Sequence, residues 1–216
     1  ESLLTAVVNA TNAPLGQVAR AEFYLGDVAA EQTARNPTNL VEAINHYERV
    51  ALEMTNSPLN AAAWGRLGDC RLQLGEFVQA TAAYQTVTEL PGADVTTRSQ
   101  AKLGLARVLA GQADTEGETD LSERFLQQAL DHCLEIVFGG NLRSANEKMD
   151  PFWVKEAGLM AGRLAKQLGQ AEQERKLYTR LAEELPMIPL WQVRLDALNG
   201  KTNTPVAPTP PQPPTP

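Results

Sequence analysis

The chain has 216 residues, 43% of them apolar, enough to bury a core as one compact domain or a short array of repeats. A formal net charge of -7 and a pI near 5.0 argue against a nucleic-acid groove, which carries a basic footprint. No run approaches the ~20 apolar residues of a membrane span, and two cysteines are too few for a disulfide framework.

No charged-then-apolar leader opens the chain, which starts at Glu1 rather than Met. Removal of a signal peptide and simple trimming both explain that start. Location therefore stays open, with a lean towards a bacterial envelope. The first fourteen residues, ESLLTAVVNATNAP, read as the second helix of an earlier helix pair closed by Pro14.

From there the sequence predicts an all-α chain of roughly eight helices. Ala, Leu, Gln, Glu and Arg dominate, and no period-2 alternation is sustained. Ser57-Pro58 and Asp150-Pro151 each place a capping residue before a proline suited to the first helical position. Asn39 with Glu42, and Asp120 with Glu123, have capping-box spacing. Three segments superpose without gaps: LVEAINHYERV (40–50), FVQATAAYQTV (77–87) and LQQALDHCLEI (126–136). Ala43, Ala80 and Ala129 align, then Tyr47, Tyr84 and Cys133, then Val50, Val87 and Ile136. Those steps put the aligned residues on one helical face. Each segment follows a stretch carrying Leu-Gly, at Leu25-Gly26, Leu67-Gly68 and Leu103-Gly104. The repeating unit is a helix pair. Within it, a glycine costs ~1 kcal/mol of helix propensity, offset where a missing side chain lets the partner helix approach. Gly68 is expected to face Ala80, and Gly65 to leave room on the opposite face.

This pattern resembles the tetratricopeptide repeat (TPR) family, whose unit of about 34 residues sets Trp, Leu-Gly, Ala, an aromatic and Pro at fixed spacings. Trp64, Leu67, Gly68, Ala80 and Tyr84 match, Pro91 falls one residue early, and Arg71 stands in place of the family's Tyr. The first unit has Glu22 in place of Trp and extra residues around TARNPT. The third carries a long insertion, AGQADTEGETD, and the fourth is diverged, with Gly162, Tyr178 and Glu174 in place of the small alanine. The resemblance implies a right-handed α-solenoid over residues 1–200, closed by a capping helix at 189–200 on which Trp191, Leu195 and Leu198 share a face. Residues 201–216 hold seven of the fourteen prolines and read as a disordered tail or linker.

Chemistry-bearing constellations are scarce. His132 and Cys133 are adjacent on a helix, so they point about 100° apart and do not converge on one ion. Counted from Asp114 as a calcium loop, the glycine and glutamate positions hold Thr119 and Phe125, so that pattern fails. There is no phosphate loop, HExxH or GxSxG. The expectation is a chain that is not an enzyme and uses no cofactor or metal. Its partner would be a protein or peptide rather than nucleic acid, with oligomeric state open.

In the TPR family the first helix of each pair lines a concave groove. Carried over by position, the resemblance implies Arg20, Phe23 and Asp27 in the first unit, and Asp69 and Gln73 in the second. It further implies Leu105 in the third and Arg163 in the fourth, with Arg66 and Lys102 reaching in from the rim. Arg98, Leu109, Glu156 and Leu159 fall at equivalent positions. Phe152 and Trp153 are expected to staple a helix start to the neighbouring repeat. Two function classes follow: an adaptor that binds a segment in the groove, or a structural subunit of a larger assembly, for example in a bacterial envelope.

Overall fold

The computed structural model describes residues 1–34, 38–117 and 119–200; the proline-rich stretch 201–216 lies outside them. Among the described residues ten α-helices follow one another: α1 (Ser2–Asn9), α2 (Leu15–Glu31), α3 (Asn39–Glu48), α4 (Asn60–Gln73), α5 (Phe77–Glu89), α6 (Val95–Glu116), α7 (Asp120–Val137), α8 (Pro151–Gln167), α9 (Ala171–Glu184) and α10 (Leu190–Leu198). Among the described residues there is no β-strand, and no helix is long and apolar enough to cross a membrane. The count exceeds the expected eight.

Each helix packs on its predecessor and successor, so α2/α3, α4/α5, α6/α7 and α8/α9 form consecutive pairs. First helices also meet across pairs, α4 against α6 and α6 against α8. The aligned face of the second helices is buried as expected: Ala43, Tyr47, Val50, Ala80, Tyr84, Val87, Ala129, Cys133 and Ile136 are at most 1% exposed. Trp64 joins two core clusters, one built from α2, α3 and α4, the other from α4, α5 and α6. Trp191 is buried and stacks on Tyr178 at 6.3 Å, with Leu195 and Leu198 packed beside it. In this way α10 covers the last pair.

The glycine of each Leu-Gly meets an aromatic ring rather than alanine. A Cβ on Gly68 would lie 2.6 Å from Tyr84 Cε1, and one on Gly26 2.6 Å from Tyr47 Cε1. Tyr84 also lies flat against Gly104 of the next pair. The ring, one turn beyond Ala80, reaches back across the crossing because a long helical side chain points towards its N-terminus. Gly65 is different: it is buried with only Gln100 near, 3.9 Å from a Cβ placed there.

Several boundaries depart from expectation. Ser57 does not cap α4, which begins at Asn60; its Oγ accepts from the Leu59 amide in a preceding turn. Thr119, not Asp120, caps α7 by accepting from the Ser122 amide. Helix α3 begins at Asn39 with Thr38 at the cap position. Asp150 caps α8 as expected, accepting from the Phe152 amide at 2.9 Å ahead of Pro151. The expected insertion in the third pair is mostly helix, since its Ala, Gln and Glu residues extend α6 to Glu116. Glu118 there, and residues 35–37 of the first unit's extra stretch, lie outside the described residues. Gly75 and Gly169, at matching places in LQLGE and KQLGQ, take φ of 72° and 67° and close the first helices α4 and α8.

Helix α3 runs on as a π-turn over Arg49–Glu53. The wider turn loosens its carbonyls, and Asn60 Nδ2 donates to two of them, Val50 O at 3.3 Å and Ala51 O at 2.8 Å. Arg71 bridges Glu48 at 2.7 Å and Glu76 at 2.6 Å, tying the end of α3 to the α4–α5 turn.

Candidate functional site

The first helices share one concavity. A cavity of about 550 Å³ takes Asp27, Ala30 and Glu31 from α2, Arg66, Asp69 and Gln73 from α4, Gln100 and Arg107 from α6, and Trp153 from α8. A second cavity of about 340 Å³ shares Arg107 and continues to Glu156, Leu159 and Arg163 on α8 and Arg194 on α10.

Sequence and packing explain how the acidic floor is held. In both of the first two pairs the sequence Leu-Gly-Asp puts an aspartate one residue after the glycine that receives the tyrosine ring. Tyr47 Oη donates to Asp27 Oδ1 at 2.7 Å, and Tyr84 Oη donates to Asp69 Oδ1 at 2.7 Å. Gln100 Nε2 donates to Asp69 Oδ2 at 2.9 Å, joining α6 to α4. Burial raises the Asp69 carboxyl above the usual carboxylate range, although both hydrogen bonds and Arg66 favour its charged form. Burial and the facing aspartate likewise push each tyrosine well up, so both stay hydroxyl donors. Arg66 pairs with Asp27 across the first two pairs, Nε to Oδ1 at 3.4 Å.

Of the residues the resemblance implies, Asp27, Arg66, Asp69 and Gln73 come together in the first cavity and Arg163 lines the second. Arg20 is exposed but lines neither. Three are placed elsewhere. Phe23 is 8% exposed, edge-on to Tyr47 at 5.7 Å, and belongs to the core between α2 and α3. Leu105 is 7% exposed within the α4–α5–α6 cluster, so it does not line the groove. The cause is the central position of α6, which touches α4, α5, α7 and α8 and is buried on most sides. Lys102 leans outward to pair with Glu135 of α7 instead of reaching the rim.

Arg98 is also in the interior. It donates to Ala93 O at 2.5 Å and Asn141 O at 3.2 Å and pairs with Glu147 at 2.6 Å, fastening the long α7–α8 connection to the start of α6. Gln100, Arg107 and Arg194 are groove residues that sequence reasoning missed. Arg107 sits four residues, about one helical turn, beyond Leu103, a spacing that shows its facing only once the neighbours of α6 are known.

The cysteines and His46 lie away from both cavities' charged linings or are buried among other side chains. Cys70 and Cys133 are buried free thiols pushed up to about 12 by burial, which keeps them protonated and inert. His46 Nδ1 lies 2.6 Å from Glu22 Oε2, and Arg49 closes on the other oxygen of this fully buried carboxylate. Glu22 aligns with Trp64 of the second pair. Trp153 is half-buried, in T-shaped contact with Phe152 at 4.9 Å, and also lines the first cavity. Among the described residues no group of three or more His, Cys, Asp or Glu side chains is arranged to hold a metal ion. No family model matches the chain, and no curated protein matches it either.

Proposed function

We propose that the chain is a non-catalytic protein–protein interaction scaffold, a right-handed solenoid of TPR-like helix pairs that holds a peptide or protein segment in its concave groove. One observation carries this reading: three successive first helices, α2, α4 and α6, contribute polar and charged side chains to a single open cavity, and a fourth, α8, adds Trp153. Backbone-spanning polar groups of this kind, with Trp153 as a flat apolar platform, suit an extended segment anchored at a few points. The TPR likeness rests on Trp64, the Leu-Gly pairs and their tyrosines. Protonated, buried thiols and carboxylates engaged in hydrogen bonds support a binding rather than a catalytic role.

Affinity capture from a lysate of the source cells tests it, comparing the wild type with Arg66→Glu/Arg107→Glu. Both side chains are exposed, so the variant should keep its helicity. A partner enriched by the wild type and lost by the folded variant supports groove binding; one retained equally by both contradicts it.

A second reading, a structural subunit of a larger assembly such as one of a bacterial envelope, is favoured by apolar residues left exposed at both ends of the helical array. Leu3 on α1 is 81% exposed, Leu15 at the start of α2 74%, and Met187 ahead of α10 91%. Sedimentation at micromolar concentration distinguishes it, since burial of these ends produces assemblies larger than the monomer.

A further inference from the structure

The second cavity carries a charge unlike that of the whole chain. Three guanidiniums, Arg107 from α6, Arg163 from α8 and Arg194 from α10, line it with one carboxylate, Glu156. Glu156 is itself paired with Lys155 at 3.1 Å. Among the described residues, none of the three arginines has a carboxylate within ion-pair distance, whereas Arg49, Arg66, Arg71 and Arg98 all do. Arg107 and Arg163 also pull on the buried Cys133 thiol against the effect of its burial, which marks a positive field directed into this part of the fold. The floor beside them is apolar, with Leu159 36% exposed and Met160 next to it.

Exposed arginines without a carboxylate partner, drawn from three helices into about 340 Å³, form a fork suited to a planar anion. We propose that this cavity is an acid-recognition subsite, which takes a carboxylate side chain of a bound peptide while an adjacent apolar residue rests on Leu159 and Met160. The inference rests on the groove-binding reading and assigns its ligand chemistry. Acidic character would fix the register of the segment, because the first cavity sets three carboxylates, Asp27, Glu31 and Asp69, against two arginines, Arg66 already paired with Asp27 and the shared Arg107.

The test uses a phage-displayed library of random dodecapeptides, selected on the whole chain and then synthesised singly. Affinities are measured by fluorescence anisotropy for the wild type, Arg107→Gln, Arg163→Gln and, at the first cavity, Gln73→Ala. The expected result is enrichment of peptides with Asp or Glu next to an apolar residue. Their affinity should fall roughly tenfold or more on either arginine substitution. Changing the peptide acid to its amide should cause the same loss in the wild type and little further loss in Arg163→Gln, the signature of direct pairing. Selected peptides that lack acidic residues, lose affinity with Gln73→Ala and ignore both arginine variants would overturn the subsite and leave groove binding standing. Peptides indifferent to all three substitutions would overturn both.

Discussion

In the first two helix pairs a glycine and a tyrosine set the closeness of the crossing, and an aspartate one residue on decides where the tyrosine hydroxyl goes. The two glycines next to Trp64 make the distinction measurable. Gly68→Ala forces a Cβ to within 2.6 Å of the Tyr84 ring, so the ring must move from both Gly68 and Gly104. A loss of about 1–3 kcal/mol in urea unfolding is expected, the range for overpacking. Gly65→Ala meets only Gln100 at ordinary contact distance and should gain roughly 0.5–1 kcal/mol from helix propensity. Opposite signs at positions three residues apart are the outcome to check. A second residue-scale prediction concerns His132, whose pKa is lowered by burial, with Lys102 adding to the effect and Glu135 and Asp131 opposing it. Its Nδ1 is buried without a hydrogen-bond partner. Because the folded chain holds this ring neutral, the unfolded chain binds the proton first. Stability contributed by His132 is therefore present above pH ~6.5 and falls as pH drops towards the folded-state value. Comparing wild type with His132→Gln at about pH 7.5 and 5.5, the wild type should lose more stability between the two, the difference being read from urea midpoints.

Helices acquire their roles here from what packs on either side. The spacing of Ala, Tyr and Val made the buried face of α3, α5 and α7 legible, because a period of 3.6 fixes which residues share a side. Leu-Gly likewise announced the close crossings. The first helices were harder, since their inward and outward faces are both covered in part. Position alone sent Phe23, Leu105 and Lys102 to the groove, yet Tyr47 captures the first, the α4–α5–α6 core the second and Glu135 the third. No local pattern in the chain announces those neighbours. The α7–α8 connection was equally opaque: its order comes from Arg98 and from Arg143, whose guanidinium donates to Thr88 O at 2.5 Å and Leu90 O at 2.7 Å, contacts more than fifty residues apart. Arg98→Ala removes a buried cation and leaves the buried carbonyls of Ala93 and Asn141 without its donors. A cost of about 1–3 kcal/mol is expected, and hydrogen exchange should rise in residues 139–150 and at the start of α6 before other helices. Protection unchanged in that stretch would show that other contacts hold it.

Across the molecule, contacts run between chain neighbours and between successive first helices, so stability should divide into pair and interface contributions, as in stacked arrays. The same sequential stacking brings α2, α4, α6 and α8 to one cavity, the surface to which the proposed binding is assigned. Acidic residues held by Tyr47 and Tyr84 at one end, and arginines at the other, give that surface a direction. A segment bound along it would read charge from pair to pair, which a single helix pair does not offer.

The claim that the concave face binds is tested most directly by site-specific photo-crosslinking. A photoreactive amino acid is placed at Gln73, in the first cavity, and separately at Val78, 78% exposed on α5. Both chains are irradiated in a lysate of the source cells, and adducts are identified by mass spectrometry. Groove binding predicts one partner captured in common over replicate irradiations from Gln73 and absent from Val78. Capture of that partner from Val78 but not from Gln73 would place binding on the second helices and contradict it.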